Sequence, residues 1–174
     1  MLYLKWILLG SIFLTSSSLG FAYGDRYAKR VFYLRELLQS IKLLKTEIII
    51  LSNPLSIALE NVLVKSDSKI SQIYEIILKD LMDRNMEDLY SSFIKTKDIL
   101  ENQCFLIKED IDLFVNLGKT IGITDRMDQE KHFTYLINEL SLVIKEARVE
   151  RDKNLKMYRS LGLLMGLGAI IILV

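Results

Sequence analysis

The chain has 174 residues, 51% of them hydrophobic, with 23 Lys and Arg against 22 Asp and Glu for a net charge of +1, and a single Cys and a single Pro. Lysines mixed with carboxylates throughout leave no basic field for nucleic acid. Cys104 alone excludes an internal disulfide framework and a cysteine metal cluster.

From the N-terminus, Trp6 to Gly24 (WILLGSIFLTSSSLGFAYG) is a stretch of nineteen uncharged residues between Lys5 and the pair Asp25 and Arg26, long enough to cross a bilayer as a helix. Tyr3 and Trp6 at one edge and Tyr23 and Tyr27 at the other suit the headgroup level. The alternative reading is a cleaved signal peptide with Gly20-Phe21-Ala22 as its small-x-Ala site; the single lysine of the n-region weighs against it.

Arg26 to Leu51 places Leu34, Leu37, Leu38, Ile41, Leu44, Ile48 and Leu51 on one stripe and is expected to continue the first helix. Ser52-Asn53-Pro54 then stops it, with Asn53 as N-cap and Pro54 opening a second helix that runs to about Val64 and buries Leu55, Ala58, Leu59 and Val62. After a polar break at 65–68, Ile70, Ile73, Tyr74, Ile77, Leu78 and Leu81 mark a third helix, ended by Asp83-Arg84-Asn85. A fourth is expected from Met86 to about Asn102, carrying Leu89, Phe93, Ile94 and Leu100. A fifth runs from about Cys104 to Ile121, with Ile107, Ile111, Phe114, Leu117 and Ile121 on one face and Gly122 as C-cap.

Thr124 is expected to cap the last helix, with Asp125 and Asp128 in its first turn, where carboxylates favour the helix dipole. Its apolar face (Met127, Phe133, Leu136, Ile137, Leu140, Val143, Ile144, Ala147) gives way at Arg148 to a polar stretch that reads as a solvated helical connector. Ser160 to Val174 (SLGLLMGLGAIIILV) is a second uncharged run, about 22 Å long as a helix against a hydrocarbon core of roughly 30 Å. Starting it at Met157 and letting Arg159 snorkel nearly closes that gap, and Tyr158 stands at its entry.

Both inner flanks are basic: Arg26, Lys29, Arg30 and Arg35 on one, Arg148, Arg151, Lys153, Lys156 and Arg159 on the other. Such residues stay on the cytoplasmic side. The expectation is therefore an all-α protein, a compact bundle of about six helices over 26–156 facing the cytoplasm, between an N-terminal membrane helix (1–25) and a C-terminal membrane helix (157–174), with both termini outside. Within the membrane runs, Ser16, Gly20 and Gly24 recur every fourth residue, and Gly162 and Gly166 form G-x-x-x-G with Gly168 nearby. These six are the candidate site, a membrane-helix packing surface, since small residues let backbones approach in lipid.

No catalytic, cofactor-binding or metal site emerges from the motifs. Gly118-Lys119-Thr120 resembles the end of a phosphate loop, but Leu113 stands where the first glycine belongs and a helix precedes it where a strand is needed. His132 has no second His or Cys beside it and no nucleophile to activate, which favours a solvated or packing role. Cys104 reads as a small core residue. The carboxylates Glu87 with Asp88, and Glu109 with Asp110 and Asp112, read as solvated surface. The chain is read as a non-enzyme without cofactor.

Several strings resemble one known family: LRELLQSIKLLKTEI (Leu34 to Ile48) followed by NPLSIAL (Asn53 to Leu59), LGKTIGITDRMDQEKH (Leu117 to His132), and MYRSLGLLMGLGAIIILV (Met157 to Val174). In this order they resemble the stage III sporulation protein AB family of endospore-forming bacteria. The cytoplasmic domain of that family is similar to one domain of the inner-membrane platform protein of type II secretion and type IV pilus machines. The resemblance implies a scaffold on the mother-cell side, in the outer forespore membrane, within a channel complex. Its implied partners are the cytoplasmic ATPase and other membrane components of that complex. Platform proteins carry two such domains and usually three spans, so a chain with one domain and two runs would need to self-associate, as a homo-oligomer, to match them. The alternatives left open are a generic membrane-anchored helical adaptor, or an exported helical domain with a cleaved signal peptide and a C-terminal anchor.

Overall fold

The computed structural model describes the backbone of residues 2–84, 89–121 and 125–173, and side chains from residue 10 to residue 172 except at 68, 84–88 and 122–124. Among these residues the fold is all-α, six helices without a strand: α1 (Leu2–Lys45), α2 (Leu55–Lys65), α3 (Ser68–Arg84), α4 (Leu89–Lys95), α5 (Lys108–Leu117) and α6 (Arg126–Leu173). The chain forms two compact units, a hairpin of residues 1–31 with 146–174, and a bundle of residues 32–145.

In the bundle, Leu34, Leu37, Ile41 and Leu44 repeat at three and four along α1 and are fully buried, as the stripe requires. α2 packs on α3, α3 on α4 and α4 on α5. These contacts enclose Leu59, Val62, Ile70, Ile73, Tyr74, Ile77, Phe93 and Phe114. The rings form one cluster: Phe114 meets Tyr74 edge-on at 6.2 Å and Phe93 at 5.1 Å between centroids. The Tyr74 hydroxyl is not orphaned. Ser40 Oγ gives its proton to Leu37 O (2.8 Å) and lies 3.0 Å from Tyr74 Oη, which therefore donates to it. Burial still pushes the Tyr74 phenol well above its ordinary pKa.

The stripe on the first helix breaks where the backbone widens. Thr46–Ile50 forms a π-helical turn, which adds a residue to the turn and moves the inward positions from Ile48 and Leu51 to Glu47 and Ile49. Glu47 and Ile49 are buried, while Leu51 is 56% exposed. The segment ends with Ser52 in the left-handed region (φ 57) and Asn53 N donating back to Glu47 O (2.9 Å). The expected fourth helix ends in the same way. After α4 a second π-helical turn spans Ile99–Gln103, Phe105 takes φ 58, and Leu106 N donates to Leu100 O (3.0 Å).

That second ending moves the start of α5 from the expected Cys104 to Lys108 and turns 104–107 into a loop. Asn53 does not act as the expected N-cap: Pro54 holds that position without a side-chain bond, and the Asn53 amide donates to Glu47 Oε2 (2.7 Å). Asp125 caps α6, accepting from Asp128 N (2.8 Å). The expected caps Gly122 and Thr124, with Asn85 and Met86 at the third and fourth helices, lie outside the described residues. Met127, expected on the apolar face, is 68% exposed.

Candidate helix-packing site in the hairpin

Long apolar helices in lipid gain no hydrophobic stabilisation from meeting, so contact depends on how closely their backbones approach. In the hairpin, α1 and α6 run antiparallel and meet where side chains are smallest. A Cβ added at Gly20 would lie 2.7 Å from Tyr158 O and 2.8 Å from Gly162 Cα; one at Gly162 would lie 3.0 Å from both Gly20 Cα and Ser16 O. Ser16 Oγ donates across to Gly162 O at 2.9 Å, so the hydroxyl is satisfied without water.

Toward the termini, Gly166 faces Phe13, whose ring would meet an added Cβ at 2.7 Å; in the other direction along the seam, a Cβ added at Gly24 would lie 3.5 Å from Leu155 O. The structure thus brings Ser16, Gly20, Gly24, Gly162 and Gly166 onto one seam. It leaves Gly168 apart, where an added Cβ meets nothing within 4 Å. The partners that small-residue spacing does not single out are Phe13, Leu155 and Tyr158. A signal for two of them lies in the sequence, because 155, 158, 162 and 166 continue the Gly162–Gly166 row at three and four residues.

Beyond the glycines the seam becomes aromatic and then ionic. Tyr158 stacks on Tyr23 (6.1 Å) and on Tyr27 (5.9 Å). Arg159 reaches Asp25 (3.2 Å) and lies over the Phe21 ring (5.1 Å). Arg30, 11% exposed, pairs with Glu150 at 2.7 Å. Among the described residues one helix, spanning Arg126–Ile172, is long and apolar enough to cross a membrane. The N-terminal run lies partly on side chains outside the described set.

Gly118-Lys119-Thr120, His132, Cys104 and Asp110 all lie in the bundle. At Gly118-Lys119-Thr120 the amides that would face a phosphate are used by the turn itself, Gly118 N to Val115 O, Lys119 N to Asn116 O and Thr120 N to Leu117 O, each 3.1 Å. Gly118 is small because Phe93 lies against it; an added Cβ would meet the ring at 2.7 Å. His132 is exposed at the rim of an apolar cleft of about 300 Å³ shared with Leu113, Leu117, Tyr135 and Leu136. Cys104 is fully buried, and burial pushes its thiol up to about 12, the state of a core residue. Asp110, expected on the surface, is buried and accepts from Ile107 N (3.2 Å) at the start of α5. Among the described residues no three His, Cys, Asp or Glu converge as a metal site.

A family model described as Stage III sporulation protein AB matches residues 5–174. The chain is similar to the Stage III sporulation protein AB of Bacillus subtilis (strain 168), 26% identical over 168 residues that cover 95% of this chain and 98% of the relative. No solved structure matches it.

Proposed function

Because the chain belongs to the stage III sporulation protein AB family, whose members serve in sporulation, we propose that it is a membrane scaffold of the channel joining mother cell and forespore. In this reading both long helices cross the outer forespore membrane. The bundle lies in the mother-cell cytoplasm and links the ATPase of the complex to its membrane components, and the chain itself performs no catalysis. The observation that carries the reading is the backbone contact of Gly20 with Gly162. Two helices in contact at the backbone form one packed anchor rather than two separate spans. Antiparallel helices also agree with the basic inner flanks, which favour one cytoplasmic segment between two crossings.

The test has two parts. A reporter active only outside the cytoplasm, inserted in the full chain between α2 and α3 at Asp67, is expected to stay silent; strong activity overturns the topology. The full chain in nanodiscs, titrated with the purified ATPase, is expected to bind it. Absence of binding by the oligomeric ATPase, where avidity is retained, overturns the coupling and leaves the adaptor reading.

A further inference from the structure

Resting on the reading that α6 crosses a membrane, we infer that Lys153 and Lys156 form a binding site for the phosphates of anionic phospholipids. α6 is one unbroken helix from Arg126 to Leu173, so helix geometry fixes these lysines relative to the apolar run. Leu155, Tyr158, Gly162 and Gly166 face α1. The opposite face holds Lys153, Lys156, Ser160, Leu164, Leu167 and Ile171, spaced at three, four and seven, and all are exposed. One continuous strip therefore passes from two ammonium groups to the side chains that contact acyl chains.

Depth selects which cations act. Lys156 and Lys153 stand about 6 and about 10 Å along the axis from Ser160, and Arg148 about 18 Å, against a screening length of about 8–10 Å. Nearby carboxylates are already engaged: Glu150 by Arg30 at 2.7 Å, Asp152 by Arg151 at 2.7 Å, and Asp25 on α1 by Arg159 at 3.2 Å. Glu146 lies further from the apolar run than Arg148. On α1 the neighbouring charges at this depth are Arg26, over the Tyr23 ring at 5.9 Å, and Lys29, which reinforce the sign. A phosphate bearing one negative charge complements such a strip; a zwitterionic headgroup offers no net charge to it.

The experiment reconstitutes the full chain in nanodiscs of phosphatidylcholine alone and with about one-fifth phosphatidylglycerol, and counts co-purifying lipids by native mass spectrometry. Phosphatidylglycerol is expected to be enriched around the protein by about five-fold for each lysine at low salt, and less as salt rises. The double variant Lys153→Gln/Lys156→Gln should abolish most of the enrichment, Lys153→Arg/Lys156→Arg should keep it, and Arg148→Gln should leave it unchanged. Incorporation without enrichment, or enrichment that survives the double Gln variant, overturns this inference alone. Failure to enter nanodiscs of either composition overturns the membrane reading and this inference with it.

Discussion

In the hairpin the helices meet where side chains are missing, Gly20 against Gly162; in the bundle they meet where side chains are largest, at Tyr74, Phe93 and Phe114. In the proposed reading the two units lie in different solvents, which accounts for the difference. In water, burying rings is itself favourable, so large apolar residues hold helices together. In lipid the surroundings are as apolar as the side chains, and what remains is close backbone contact and hydrogen bonds such as Ser16 to Gly162 O. The two units therefore have opposite weaknesses: the bundle should fail when volume is removed and the hairpin when it is added.

The largest expected effect is Phe114→Ala in the bundle. The ring is fully buried between Tyr74 and Phe93, and its loss should cost about 3–5 kcal/mol, read from urea unfolding of the full chain in detergent. Cys104 supplies an independent reading. With its thiol pushed up to about 12, it should resist alkylation until the bundle opens, and label faster in the variant. A cost below about 1 kcal/mol with unchanged labelling would show that the aromatic cluster is not what holds the bundle.

Next comes the reverse operation in the hairpin. Gly162→Val should cost about 1–3 kcal/mol through overpacking, because the added Cβ already lies 3.0 Å from backbone atoms of α1. Gly168→Val, in open space, should stay within about 0.5 kcal/mol. Spin labels at positions 14 and 167, in a Cys104→Ala background, should show the helices pushed apart by the first change and unmoved by the second. Equal behaviour of the two glycines would mean that the seam does not hold the hairpin.

What the sequence reveals also differs between the units. Small residues every fourth position are conspicuous among large apolar ones, so spacing alone picks out Ser16, Gly20, Gly24, Gly162 and Gly166; Gly168 is picked out by composition, although its surroundings are open. The helices of the bundle follow from apolar spacing, but their ends do not. Both irregular ends place an ordinary residue, Ser52 or Phe105, in the left-handed region where glycine is the usual signal. Both follow a π-helical turn, which shifts the register that periodicity relies on. The stripe from Leu34 to Leu44 is therefore read correctly, while its continuation to Ile48 and Leu51 misses the inward turn of Glu47 and Ile49.

Glu47 provides the smallest and most local test, a carboxylate buried where the first helical segment of the bundle ends. The residue is 3% exposed, and its Oε2 accepts from Asn61 Nδ2 (2.9 Å) and Asn53 Nδ2 (2.7 Å), joining the end of the first helical segment to α2. Those bonds, the Asn61 one foremost, with Lys65 Nζ 3.9 Å from Oε1, hold the carboxyl below its ordinary 4.5. The unfolded chain then binds the proton more readily than the folded one. The stabilisation is complete above the unfolded value and is lost as pH falls through the lower folded one. Glu47→Gln should therefore unfold at lower urea than the parent near about pH 7, with the gap closing below about pH 4. If the gap is independent of pH, packing of the side chain rather than its charge holds the turn.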